Sequence, residues 1–261
     1  MIRAIFFDID GTLVSFRSHK LVNSAKEAIL ELKKKGIKVF IATGRIKAHI
    51  NNLDDLEFDG YITTNGFNVH TENKEIYKNV ISKEELDAFL YYLENKECFT
   101  CSVMTKDGTF INRYDDNVAE VEKAVNLKFT LSNNFAEFVQ ENMNEVLQIN
   151  LFVNEEKEKK IMNQIFKNSE ATRWHPLFAD INTKGGGKHI GVSKILEYYN
   201  IDLSETMAFG DGGNDISMIK YVNIGIAMGN ANEHLKEVAD YITDDVDNDG
   251  IVKALKHFNL L

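Results

Sequence analysis

The stretch Ala4-Ile5-Phe6-Phe7-Asp8-Ile9-Asp10-Gly11-Thr12 carries the fold and the chemistry of this chain together. Four apolar residues run directly into two carboxylates spaced i and i+2, followed by a glycine. A short, wholly apolar run suits a strand buried on both faces, the situation of a parallel sheet covered by helices. In an extended segment residues i and i+2 project from the same side. Asp8 and Asp10 therefore crowd one another unless a cation or a proton lies between them. Ligands of open parallel sheets bind beyond the carboxyl ends of the strands, and this acidic pair falls at such an end.

Working outward, further short apolar runs follow the same pattern: IKVFIA at 37–42, GYIT at 60–63, TMAFG at 206–210, NIGIAM at 223–228 and DYIT at 240–243. An amphipathic helical stretch at 24–36 joins the first two, and another at 191–201 leads into TMAFG. This alternation predicts an α/β fold with a Rossmann-like parallel sheet. The middle of the chain reads differently. Residues 82–96, 116–126 and 155–167 are helical in pattern, and 145–153 reads as a strand. CFTCSVMT and TFINRY flank an Asp107-Gly108 turn signal, and two strands meet around Pro176. This is an α+β unit at 82–183 inserted into a core made of 1–81 and 184–261. Gly185, Gly186 and Gly187 stand at the second crossing, where a hinge that lets the insert move as a lid is expected.

Two other strand ends carry chemistry. Gly210-Asp211-Gly212-Gly213-Asn214-Asp215 supplies two more carboxylates and a carboxamide at the same sheet edge. Four acidic side chains (Asp8, Asp10, Asp211 and Asp215) without His or Cys suit a hard cation, Mg²⁺. Ala42-Thr43-Gly44-Arg45 ends the second strand, where the Thr43 hydroxyl and the Gly44 amide can hold a phosphate oxygen. Arg45 is a candidate contact for the rest of a substrate.

Composition narrows the remaining classes. The chain has 261 residues, 44% hydrophobic and 27% charged, the profile of an ordinary globular protein. Its net charge of −10, with no basic block, argues against nucleic-acid binding. No apolar run approaches the length of a membrane span, and the first residues lack a signal-peptide core. Cys98 and Cys101 form a CFTC pair in strand-like surroundings, which places the thiols on opposite sides and reads as structural. A cytoplasmic monomer or weak oligomer that binds a small molecule is expected.

DIDGT, IATGR and GDGGND, in this order, resemble the haloacid dehalogenase superfamily of phosphotransferases. The large insert between the second and third motifs is similar to the branch with a large α/β cap (type IIB, Cof-like), and TTNGF (63–67), AMGNA (227–231) and DGIVKAL (249–255) extend the likeness along nearly the whole chain. The resemblance implies a phosphatase, similar to bacterial hexose-phosphate phosphatases, acting on a phosphate monoester. Asp8 would be the nucleophile and Asp10 the acid and base. Mg²⁺ would be held by Asp8, the Asp10 carbonyl and Asp211, with Asp215 behind, and Thr43, Gly44, Lys188 and Asn214 would hold phosphate oxygens. The family places one complete helix between its lysine and the aspartate of the GD motif. Lys188 precedes Asp211 by 23 residues, whereas Lys194 precedes it by 17 and lies inside the helix. Lys188 is therefore chosen, with Lys184 as the alternative. A phosphomutase using the same nucleophile and a non-catalytic sugar-phosphate sensor are the rival functions.

Three other features point elsewhere than to chemistry. Gly187-Lys188 is no nucleotide-binding loop, because Asn182 and His189 stand where glycine and a hydroxyl residue are needed. Asp245, Asp247 and Asp249 lack the closing Glu of a calcium loop, Lys256 taking its place, so Asp249 reads as the start of the last helix. Trp174 and His175 beside Pro176 read as a packed corner.

Overall fold

The computed structural model describes residues 1–71, 74–125 and 128–261, without the side chains of residues 124, 125 and 174. The chain first forms β1 (Ala4–Phe7), α1 (Asn23–Lys34), β2 (Lys38–Ala42), β3 (Gly60–Thr63), β4 (Asn68–Thr71) and β5 (Glu75–Lys78). The middle carries α2 (Lys83–Asn95), β6 (Cys101–Thr105), β7 (Gly108–Ile111), α3 (Asp116–Val125) and β8 (Thr130–Leu131). It continues with α4 (Phe135–Glu141), β9 (Gln148–Leu151), α5 (Glu155–Gln164), β10 (Ser169–His175) and β11 (Phe178–Thr183). The last third holds α6 (Lys188–Tyr199), β12 (Thr206–Gly210), α7 (Ile216–Ile219), β13 (Ile224–Ala227), α8 (Glu233–Lys236), β14 (Tyr241–Ile242) and α9 (Gly250–His257).

These elements divide into two units. One comprises Met1–Arg45, Ile50–Lys78 and Gly187–Leu261, the other Ile46–His49 and Asn79–Gly186. The second unit begins ahead of α2 because its backbone is already tied in: Ile81 N–H donates to the Val146 carbonyl and the Thr183 hydroxyl to the Val80 carbonyl.

In the first unit the sheet order is β14-β13-β12-β1-β2-β3-β4-β5. Strands β14 to β3 are parallel, and β4 and β5 add on antiparallel. This closing hairpin is an addition to the parallel sheet that the sequence pattern predicts. Alternation along β1 feeds two cores. Ile5 and Phe7 join Ala25, Ile29 and Leu32 of α1 and Ile251 and Leu255 of α9 on one face. Ala4 and Phe6 join Val192, Ile195 and Leu196 of α6 and Met218 of α7 on the other. Each such fully buried aliphatic or aromatic side chain contributes about 1.5–3 kcal/mol, which explains why β1 carries no polar residue before Asp8.

The second unit is built on a sheet of order β10-β11-β9-β6-β7-β8. Val103, Ile149, Leu151 and Ile181 on one face pack against Leu86 and Phe89 of α2, Val139 of α4 and Ile161 of α5. The β6–β7 turn falls at Lys106-Asp107, one residue earlier than the Asp107-Gly108 signal, with Gly108 opposite Thr105 and the Thr105 hydroxyl accepting from Asp107 N–H. Cys101 opens β6 and is buried, while Cys98 precedes the strand and is exposed; both are free. His175 stacks on Phe178 and accepts from Leu177 N–H, a packed corner, while the Trp174 side chain lies outside the described residues. Asp249 precedes α9 directly, and its carboxylate accepts from Ser24. No described helix is long and apolar enough to cross a membrane.

Candidate active site

The central strands of the first unit stop in register, and the chemistry sits one residue beyond each. Phe7 pairs with Phe209 on one side and Ile41 on the other. Asp8 N–H still donates to the Phe209 carbonyl at 3.1 Å, and Thr43 N–H to Ile62 at 2.8 Å. The ladders thus carry Asp8, Thr43 and Asp211 to one edge before the chain turns. Gly11 makes the turn at φ 83°, and a Cβ there would lie 2.2 Å from an Asp211 carboxylate oxygen, so any side chain would displace that carboxylate.

Lys188, the first residue of α6, reaches into this edge. Its ammonium donates to Asp8 Oδ1 at 2.6 Å and to Asp215 Oδ1 at 2.5 Å. Lys188 and Asp215 are wholly buried and Asp8 is 6% exposed. Asp215 uses its other oxygen to accept from the backbone N–H groups of Asp211 and Gly212, at 3.0 and 2.9 Å. Asp211 accepts from the Thr12 hydroxyl. Lys184 instead lies in the second unit with its ammonium on the Lys167 carbonyl, and Lys194 pairs with Glu197 on the surface.

Two carboxylates beside one buried cation leave the pocket electrostatically unbalanced. Burial pushes the Asp8 pKa well above the ordinary carboxylate value, Asp215 and Asp211 push the same way, and Lys188 opposes them. Burial works against the Lys188 charge too, but Asp215 and Asp8 outweigh it and hold that pKa above the usual lysine value. Asp211 is lifted to about 7 by burial and then by the Asp215 charge. Donor atoms of Asp8, Asp211 and Asp215 all lie within 4.8 Å of one another. An oxygen-only set with surplus negative charge fits Mg²⁺. Both Asp215 oxygens are already engaged, so the Asp8 and Asp211 carboxylates are the side chains open to a metal, with Asp215 behind them.

Arg45 forks onto Asp10, its Nε and Nη2 donating to the two carboxylate oxygens at 2.8 and 2.6 Å. Arg45 N–H also donates to the Thr43 hydroxyl oxygen. Gly44 N–H makes no hydrogen bond among the described residues. Asn214 is exposed and donates to Asn65 Oδ1 at 2.9 Å. The structure therefore joins Asp8, Asp211, Asp215 and Lys188 in one cluster, Asp10 with Arg45 in a second contact, and Asn214 with a residue to which the sequence reading assigns no role.

Residues that the sequence reading missed are Thr12, Asn65 and Asn230. Asn230 donates to the Gly11 carbonyl and accepts from Val246 N–H, fixing the turn after Asp10. Asn65 lies in a left-handed turn with Thr64 and Gly66, at φ 53°, 49° and 97° respectively. Left-handed backbone at residues other than glycine costs on the order of 1–3 kcal/mol each. The signal that could have found Asn65 is its Asn-Gly pair directly after a predicted strand.

The strand ends of the first unit thus bring together aspartates, a buried lysine and the Gly44 N–H. The chain belongs to the haloacid dehalogenase-like hydrolase family, whose pattern matches residues 5–255. Within it the chain is a phosphatase of the type with a large α/β cap. It is 31% identical over 264 residues to 5-amino-6-(5-phospho-D-ribitylamino)uracil phosphatase YcsE of Bacillus subtilis, covering 99% of this chain and 96% of that one. Among solved structures it is similar to BT1666, a phosphatase of the superfamily from Bacteroides thetaiotaomicron, at 37% identity and TM-score 0.89 over 100% of this chain and 96% of that one. It is also similar to the subclass IIB sugar phosphatase BT4131, at 41% identity and TM-score 0.83 over 99% and 100% of the two chains.

Proposed function

We propose that this phosphatase is Mg²⁺-dependent and hydrolyses sugar phosphates, hexose phosphates foremost, through an aspartyl phosphate on Asp8. The observation that carries the reading is the buried Lys188 ammonium on Asp8 Oδ1, which leaves Asp8 Oδ2 without a partner among the described residues. Asp8 Oδ2 attacks phosphorus, the ester oxygen leaves, and a mixed anhydride forms. Asp10 protonates the departing alkoxide, then takes a proton from the water that attacks the anhydride and releases phosphate. One Asp10 oxygen carries that proton while the other keeps its hydrogen bond from Arg45. Lys188, the Thr43 hydroxyl, the Gly44 N–H and Asn214 hold the non-bridging oxygens as charge redistributes.

Mg²⁺ would be held by Asp8, the Asp10 carbonyl and Asp211, with Asp215 behind. Bound there it would offset the repulsion between an anionic nucleophile and a dianionic phosphate. The substrate class is supported by BT4131, a sugar phosphatase, and by YcsE, whose substrate carries its phosphate on a ribityl chain. Two free cysteines and the absence of a basic block among the residues fit a cytoplasmic enzyme of small molecules. The insert, 82–183, is proposed as the part that selects the substrate.

The test is phosphate release from a panel of monoesters by the purified chain with Mg²⁺ and after chelation. Hexose phosphates are expected to lead the panel, with activity lost on chelation. Asp8→Asn, nearly isosteric, is expected to abolish turnover while the protein stays folded. Isomer formation without phosphate release would make the chain a mutase, and wild-type turnover by Asp8→Asn would overturn the covalent route.

A further inference from the structure

We propose that Asn65 is a positioning residue for the phosphate group, which orients the Asn214 carboxamide from a backbone turn that is itself locked to the phosphate-binding segment. The inference rests on the phosphatase reading above and adds a residue to the same site. Thr64, Asn65 and Gly66 are consecutive residues with positive φ. A β-branched residue in the left-handed region is a marked outlier, and the buried Thr64 hydroxyl makes no hydrogen bond among the described residues. Such a conformation persists only where its surroundings over-determine it, and those surroundings point to its use.

Here the surroundings are the site itself. Thr64 N–H donates to the Arg45 carbonyl at 2.9 Å and Asn65 N–H to the Thr43 carbonyl at 3.0 Å. A Cβ on Gly66 would lie 2.2 Å from the Gly187 carbonyl oxygen, immediately before Lys188, so only glycine lets the turn seat against the start of α6. One turn thus holds both the Thr43–Arg45 backbone and the base of the lysine helix. From this fixed point Asn65 Oδ1 accepts from Asn214 Nδ2. The same oxygen lies 3.2 Å from where a Cβ on Gly44 would stand, so the Asn65 carboxamide packs directly against Gly44. The second N–H of Asn214 has no hydrogen bond among the described residues, so it is available to a phosphate oxygen held at Gly44. Asn214 is otherwise exposed and, without Asn65, would turn freely.

Asn65→Gly isolates the side chain, since glycine accepts φ 53° without strain. The readout is the affinity of inorganic phosphate, titrated by calorimetry into the protein with Mg²⁺, together with kcat and KM for several monoesters and the melting temperature. The expected result is an unchanged or higher melting temperature and phosphate affinity weakened about tenfold, the order of one lost hydrogen bond with its orientation. KM should rise by the same factor for every ester, because the phosphate is common to all. In an Asn214→Ala background, Asn65→Gly is expected to weaken phosphate by no more than about twofold further, because its effect passes through the missing carboxamide. Unchanged phosphate affinity in Asn65→Gly, or full additivity with Asn214→Ala, would overturn the inference. A wild-type chain that turns over no monoester would instead overturn the parent reading, so the two failures are separable.

Discussion

Both units of this molecule bury carboxylates, and they do so in opposite ways. In the inserted unit Glu85 is 3% exposed and accepts from the Ser82 hydroxyl, the Asn168 N–H and the Ser169 hydroxyl, while Ser82 in turn caps α2 at Glu85 N–H. Neutral donors surround the charge, and the result is a clasp that ties the start of α2 to β10. In the first unit Asp8 and Asp215 share one cation and face Asp211, and the pocket holds more negative charge than its donors satisfy. A buried carboxylate by itself therefore marks nothing. Like-charge crowding around a single buried lysine is what sets the first unit apart, and a bound cation or a proton would relieve it.

Three substitutions or titrations sharpen this contrast. The largest effect is expected for Lys188→Met. It leaves Asp8 and Asp215 facing one another without their cation, so turnover should fall by about a thousandfold or more. Stability near neutrality should fall by about 3–5 kcal/mol, the cost of leaving buried charge unpaired. The stability loss should shrink at acid pH, where the carboxylates take up protons; a loss independent of pH would show that charge is not the cause. Glu85→Ala should separate stability from activity. Removing a fully hydrogen-bonded acceptor strands three donors and should cost about 1–3 kcal/mol in denaturant unfolding, while kcat/KM of the folded protein stays within about twofold. A large kinetic defect at unchanged stability would place Glu85 in the chemistry and dissolve the comparison.

The smallest effect concerns proton and metal. The Asp211 pKa of about 7 lies above its ordinary value of 3.8. Between the two, the folded protein keeps a proton that the unfolded chain has lost. Stability of the metal-free protein therefore falls as pH rises through this window, and the penalty is complete above it. Mg²⁺ must displace that proton at low pH and meets a bare carboxylate at high pH. Added Mg²⁺ is expected to raise the melting temperature more at about pH 8 than at about pH 5.5. Equal shifts at both would remove Asp211 from the metal set.

The parallel core was legible because its strands are short and mostly apolar, and β1 and β12 run directly into aspartates: β1, β2, β3 and β12 fall within a residue of their apolar runs. The β4–β5 hairpin was not, because half-polar strands such as NVHT and EIYK acquire their identity only from the ladder that β3 offers. Helix α4 spans seven residues, too few for a helical period to declare itself. In the site, Asp8, Asp211 and Asp215 are visible as acids at or just beyond strand ends, and the spacing implied by the family resemblance distinguishes Lys188 from Lys194. Asn65 escapes because its role depends on a left-handed backbone held by Thr43 and Arg45, partners some twenty residues away in sequence. Arg45 on Asp10 escapes likewise, since nothing in the two motifs says that their side chains pair.

The covalent step at Asp8 can be seen directly. Wild-type protein mixed with a rapidly cleaved monoester and Mg²⁺, then quenched with labelled borohydride, should carry the label on the peptide containing Asp8, because borohydride reduces an acyl phosphate but not a carboxylate. The label should depend on substrate and be absent from Asp8→Asn. Steady phosphate release from wild-type protein with no label at residue 8, or with the label on another aspartate, would contradict the mechanism derived from this site.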